Sequence, residues 1–152
     1  MLAKSVPVSV AIAFALFAGG VTFAFAQNQN PQPHSKTGSG ADVARGKYLV
    51  EGVAVCGQCH TPRDRNGNLD RDRWLQGAAV PWLPAMADSN WPLSAPRIGG
   101  TPPASDADMI KLLTTGIWTT GNRLRLPMPQ FRMSRSDAEA VVAYLKSVAP
   151  QQ

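Results

Sequence analysis

Thiol and imidazole are scarce in this chain. Of its 152 residues, two are cysteine and two are histidine. Two cysteines cannot staple a disulfide scaffold, so the fold has to rest on packing. Aromatic residues make up 7%, they do not interleave with a basic stripe, and no run of five or more like charges occurs. These absences argue against a nucleic-acid partner. Regular periodicity is also missing over a long central stretch: between Thr61 and Pro103 no helix or strand of ordinary length is legible. A structureless stretch of that size inside one domain is usually an insertion or a functional segment. What the chain does have is enough length for one core, 44% hydrophobic residues and a net charge of +5. Its scattered arginines suit an acidic protein partner or an anionic membrane face.

Both cysteines and one histidine fall in a single pentapeptide, Cys56-Gly57-Gln58-Cys59-His60. C-x-x-C-H is the attachment pattern for haem c. Two residues between the thiols let one helical turn present both sulfurs to the two vinyl groups on one porphyrin edge. His60 then follows as an iron ligand. A Cys-x-x-Cys pair alone also fits a redox dithiol, half a zinc site or a disulfide. The redox dithiol expects a βαβ setting, which these flanks lack. A zinc site needs four ligands, and the other histidine, His34, lies in a polar segment without apolar periodicity.

Residues 1–26 read as an export signal. Lys4 supplies the charged start, Val8 to Ala18 is apolar and small, Gly19 and Gly20 break the run, and Ala24-Phe25-Ala26 fits a cleavage site. The rival is an uncleaved anchor, since Val6 to Ala26 is long enough to span a bilayer. Residues 27–40 read as a flexible linker. The domain proper is expected over 41–149. Its first helix is predicted from Ala41 to Val53, with Gly46, Leu49, Val50 and Val53 on one face. A helix capped by Ser105 ends at Gly116. The last runs from Arg135 to Val148, capped by Ser134 with Asp137 in a capping-box relation. Asp64, Asn66, Asn68 and Asp70 alternate like calcium ligands, but Leu75 stands where a bidentate glutamate is needed, so a plain turn is the better reading.

A six-coordinate electron-transfer haem needs a ligand opposite His60. Met86, Met109, Met128 and Met133 are the candidates after the leader. Met128 lies between Pro127 and Pro129, which hold a stiff, extended backbone able to present a thioether at fixed depth. Met109 reads most simply as core, the usual place for methionine.

Residues 41–149 resemble a class I cytochrome c domain. The matching pieces are Gly46-Lys47-Tyr48-Leu49-Val50, the pentapeptide, Ala95-Pro96-Arg97-Ile98-Gly99, Met128-Pro129-Gln130-Phe131, and Ala140-Val141-Val142-Ala143-Tyr144-Leu145. The resemblance implies an all-α fold in which the first and last helices cross, with Gly46 against Tyr144, around one covalent haem c. It implies Met128 as the distal ligand, and the Pro96 carbonyl as acceptor for the His60 N–H. The long insert between His60 and Pro96 departs from the pattern, and no propionate ligand carries across it. Cys-His-Thr-Pro-Arg-Asp with a later Leu-Thr-Thr-Gly is similar to cytochrome subunits that accompany periplasmic alcohol, aldehyde and sugar-acid dehydrogenases.

The expected function is therefore a periplasmic one-electron carrier, not an enzyme, with His60 and Met128 on iron. Its partners would be redox proteins: a dehydrogenase, a terminal oxidase or a reductase, with a membrane surface also open. Two alternatives stand beside it. One is a permanent haem subunit of a dehydrogenase. The other is an open-site sensor or peroxidase-like haem, which requires that Met128 not bind.

Overall fold

The structure, a computed structural model, describes residues 40–149. The expectations for the leader or anchor over 1–26, for the linker up to residue 39 and for His34 lie outside the described residues. Gly40 belongs to the first helix rather than to a linker. This helix, α1 (Gly40–Tyr48), does not continue unbroken to Val53 as its periodicity predicts, but widens into a π turn over Leu49–Val53. The Ala54 N–H reaches back to the Leu49 carbonyl at 2.7 Å and the Cys56 N–H to that of Val50 at 3.0 Å. A π turn takes one extra residue per turn, and here it leaves Leu49 and Val50 both buried.

Short elements follow: the turn α2 (Gly57–His60), a 3₁₀ turn at Arg71–Arg73, and the two-residue strands β1 (Ala78–Ala79) and β2 (Ser94–Ala95). The strands pair antiparallel, Ala78 opposite Ala95 and Ala79 opposite Ser94. Helices α3 (Asp106–Thr115) and α4 (Arg135–Ser147) complete the domain. Among the described residues no helix is long and apolar enough to cross a membrane.

Local chemistry accounts for the helix ends. The Ser105 hydroxyl accepts from the Asp108 N–H, and Ser134 does the same for Asp137. Gly116 takes the left-handed conformation that closes α3, with its N–H on the Leu112 carbonyl at 2.7 Å. The capping box expected at Asp137 is only half made. The carboxylate turns away to Arg45 on α1 at 3.0 Å, because the helix crossing brings that guanidinium alongside.

That crossing organises the core. A Cβ at Gly46 would overlap the backbone carbonyl of Ala140 and come within 2.7 Å of the Tyr144 Cβ. The absence of a side chain is therefore what lets α1 and α4 touch. Val50, Leu75, Met109, Leu113, Val141 and Leu145 fill the space around the contact.

Tyr144 does more than face Gly46. Its hydroxyl donates to Glu51 at 2.6 Å and accepts from the Trp74 indole at 3.2 Å, joining both terminal helices to the insert. Burial and then the Glu51 carboxylate push the phenol up to about 12. Above its ordinary value of 10.0 the unfolded chain releases this proton while the folded one keeps it. Stability should therefore be fully present below pH 10 and decline from there to about pH 12. The Tyr144→Phe protein should lose about 1–2 kcal/mol at neutral pH and show a shallower alkaline decline in denaturant titrations.

Candidate functional site

The insert is pinned at both ends, and this builds the site. The Leu75 N–H donates to the Thr61 hydroxyl at 2.9 Å, the Gly77 N–H to the His60 carbonyl at 2.8 Å, and the Ile98 and Gly99 N–H groups to the Leu75 carbonyl at 3.0 Å. Residues 96–98 are thereby carried back alongside α2. His60 is 5% exposed, and its Nδ1 lies 2.7 Å from the Pro96 carbonyl oxygen. A carbonyl only accepts, so Nδ1 bears the proton and Nε2 keeps its lone pair for a metal. Burial lowers the basicity of His60 and the Pro96 bond opposes it; the net shift is downward, towards the neutral ring that a metal requires.

Before α2 the chain turns sharply at Val55, whose φ of 46° is a rare conformation for a β-branched residue. Gly57 has no room for a side chain: a Cβ there would run into the Trp74 ring. The Arg71 guanidinium lies 4.2 Å from the centre of that ring, so Trp74 is held between a cation and the attachment turn. Burial pushes the Cys56 thiol up to about 11, and burial raises Cys59 too, against the opposing charge of Arg63. Reactive redox dithiols need the opposite shift. Here the shift is upward at both cysteines, which line a cavity wall instead.

A cavity of about 690 Å³ opens beside α2. Cys56, Cys59, His60, Pro96 and Met128 all line it, so the structure brings every sequence-predicted site residue to one place. The other methionines separate. Met109 also lines the cavity but is 4% exposed on α3, within the core cluster. Met133 packs against the core, and Met86 is exposed on the insert. The walls are largely apolar, with Ile98, Leu112, Leu124 and Phe131 among them, and Arg123 and Arg125 as cations. Two thiols, an oriented imidazole, a thioether, apolar walls and two cations fit a covalently held haem with anionic propionates. Cys59→Ala should halve the covalent links, and Cys56→Ala with Cys59→Ala should abolish them. Denaturing electrophoresis stained for haem would then show the band weakened in the first and lost in the second.

Sequence reading did not single out Trp118, a further wall residue. The indoles of Trp74 and Trp91 are spent on Tyr144 and on the Trp82 carbonyl, whereas Trp82 itself lines the cavity. The Asp64–Asp70 segment is a turn. The Asp64 carboxylate accepts the N–H groups of Asn66 and Asn68, and Asp70 caps the 3₁₀ turn and pairs with Arg73 at 2.7 Å.

A family model for cytochrome c matches residues 43–149. A curated relative described as a diheme cytochrome c-type protein of Cereibacter sphaeroides is 57% identical over 37 residues, 24% of this chain and 12% of the relative. The fructose dehydrogenase cytochrome subunit of Gluconobacter japonicus is 35% identical over 113 residues, 70% of this chain and 22% of that subunit. The matched region thus spans less than a quarter of the length of either relative.

Proposed function

This chain belongs to the cytochrome c family of electron-transfer haem proteins, and from that premise we propose that it carries one electron at a time through a single haem c ligated by His60 and Met128. The observation that carries the reading is the gathering of Cys56, Cys59, His60 and Met128 around one apolar cavity, with His60 fixed by Pro96. When bound, the haem supplies a ferric–ferrous couple. The chain's own residues do the rest. Cys56 and Cys59 hold the macrocycle in place, and the Pro96 carbonyl keeps the imidazole proton on Nδ1. Met128, stiffened by its flanking prolines, offers a soft donor that favours the reduced metal. The apolar walls exclude water, which lowers the reorganisation that accompanies each charge change. Arg123 and Arg125 are placed to pair with propionates or to steer an anionic partner.

The partner is a redox protein. A lasting association with a dehydrogenase is the second reading, favoured by the 35% identity to a fructose dehydrogenase cytochrome subunit. The compartment we assign is the periplasm, on the leader pattern of residues 1–26. The ferric protein should show the far-red charge-transfer band of iron–thioether bonding and titrate as a one-electron couple. Absence of that band, with ready carbon monoxide binding by the ferrous form, would replace this reading with the open-site haem.

A further inference from the structure

Residues 74–96 hold one charged side chain, Asp88. Between β1 and β2 they form a 14-residue loop, 80–93, closed at its base by the Val80 N–H on the Leu93 carbonyl at 3.0 Å. The loop is braced from inside. The Trp91 indole donates to the Trp82 carbonyl at 3.2 Å, and the Asn90 N–H to the Asp88 carboxylate at 2.8 Å. Beside the exposed polar run Asp88-Ser89-Asn90, the loop leaves three large apolar side chains uncovered: Leu83 is 77%, Met86 83% and Leu93 73% exposed. None of these three lines the cavity, so a bound macrocycle does not account for them.

We propose that loop 80–93 is an interfacial docking element that seats the protein on an anionic lipid bilayer with the cavity mouth close to the surface. Four observations point to lipid. The patch is irregular loop rather than a helix face or sheet edge, and a non-directional apolar solvent needs no register. Pro81, Pro84 and Pro92 have no N–H, which lowers the cost of moving loop backbone out of water. Trp82 and Trp91 bracket Leu83 and Met86 in the chain, and tryptophan favours the headgroup level. The surrounding charge has the sign that anionic headgroups attract. Arg97, just after β2, and Arg125 at the cavity wall have no ion pair among the described residues, and the loop's single acid already accepts an internal N–H. Val80, Trp82 and Pro92 line the cavity together with Arg123 and Arg125, so the apolar loop and the basic arm share one mouth. An electron carrier held this way presents its exchange edge to partners resident at the same membrane.

The test uses the matured, haem-loaded protein and vesicles of phosphatidylcholine with about 30% phosphatidylglycerol. Co-sedimentation should show binding that weakens with salt and is at least about tenfold stronger than to phosphatidylcholine alone. Leu83→Asp with Met86→Asp should reduce it by about tenfold or more while leaving the haem spectrum unchanged, because both side chains are outside the core. A nitroxide attached to a Met86→Cys variant reports position directly: it should become less accessible to a water-soluble relaxant when vesicles are added. This second readout holds even if a retained leader binds membranes by itself. A fully solvated nitroxide on bound protein, or the absence of vesicle binding, would overturn the proposal. So would a loop-dependent dimer in ultracentrifugation, or a loop-dependent complex with another protein in place of lipid.

Discussion

The Gly46→Val protein is expected to lose about 3 kcal/mol or more of stability, a large share of the roughly 5–15 kcal/mol that holds a domain of ordinary size together. The new side chain would meet the Ala140 carbonyl and the Tyr144 Cβ, and the first of these is backbone that cannot swing aside. Relief requires α1 and α4 to separate, which uncovers Val50, Val141 and Leu145 together. Gly52, in the π turn, is the control. A Cβ there would meet nothing nearer than the Tyr48 ring, at 3.7 Å. Gly52→Ala should therefore be neutral or slightly stabilising, since it removes freedom from the unfolded chain. Chemical denaturation of both variants checks the pair. Equal effects would mean that the crossing does not depend on the bare backbone at Gly46.

Met128→Ala is expected to leave the haem covalently attached while opening the iron to external ligands. The ferric charge-transfer band should disappear, the ferrous form should bind carbon monoxide, and the midpoint potential should fall by on the order of 100 mV or more. The comparison with Met109→Ala is the informative one, because both residues line the cavity. Met109 is a core residue of α3, so its removal should cost about 2–4 kcal/mol of stability and leave the band in place. The opposite outcome, band lost with Met109 and kept with Met128, would reassign the distal ligand.

The helices of this domain are legible in the sequence because their signals are local. Ser105, Gly116 and Ser134 act within four residues of themselves, and the apolar spacing of α4 places Ala138, Val141, Val142 and Leu145 in the core, where the structure buries them. The crossing and the grouping of site residues come instead from resemblance, since no periodicity links Gly46 to Tyr144. The π turn leaves no trace in the sequence: Leu49 and Val53 share one α-helical face, yet the structure buries Leu49 and leaves Val53 55% exposed. The insert is the least legible part. Its order depends on bonds between distant positions, Thr61 with Leu75, His60 with Pro96 and Trp74 with Tyr144, and no local pattern announces any of them. Asp137 shows the same limit on a smaller scale. Its spacing from Ser134 predicts a closed capping box, and a guanidinium from another helix outcompetes that bond.

Intact mass of the matured protein under denaturing conditions tests the central claim most directly. One haem added to the polypeptide, retained after unfolding because Cys56 and Cys59 are both bonded to it, is the predicted result. A bare polypeptide after maturation in a host competent to attach haem, or a haem that leaves on denaturation, would contradict it.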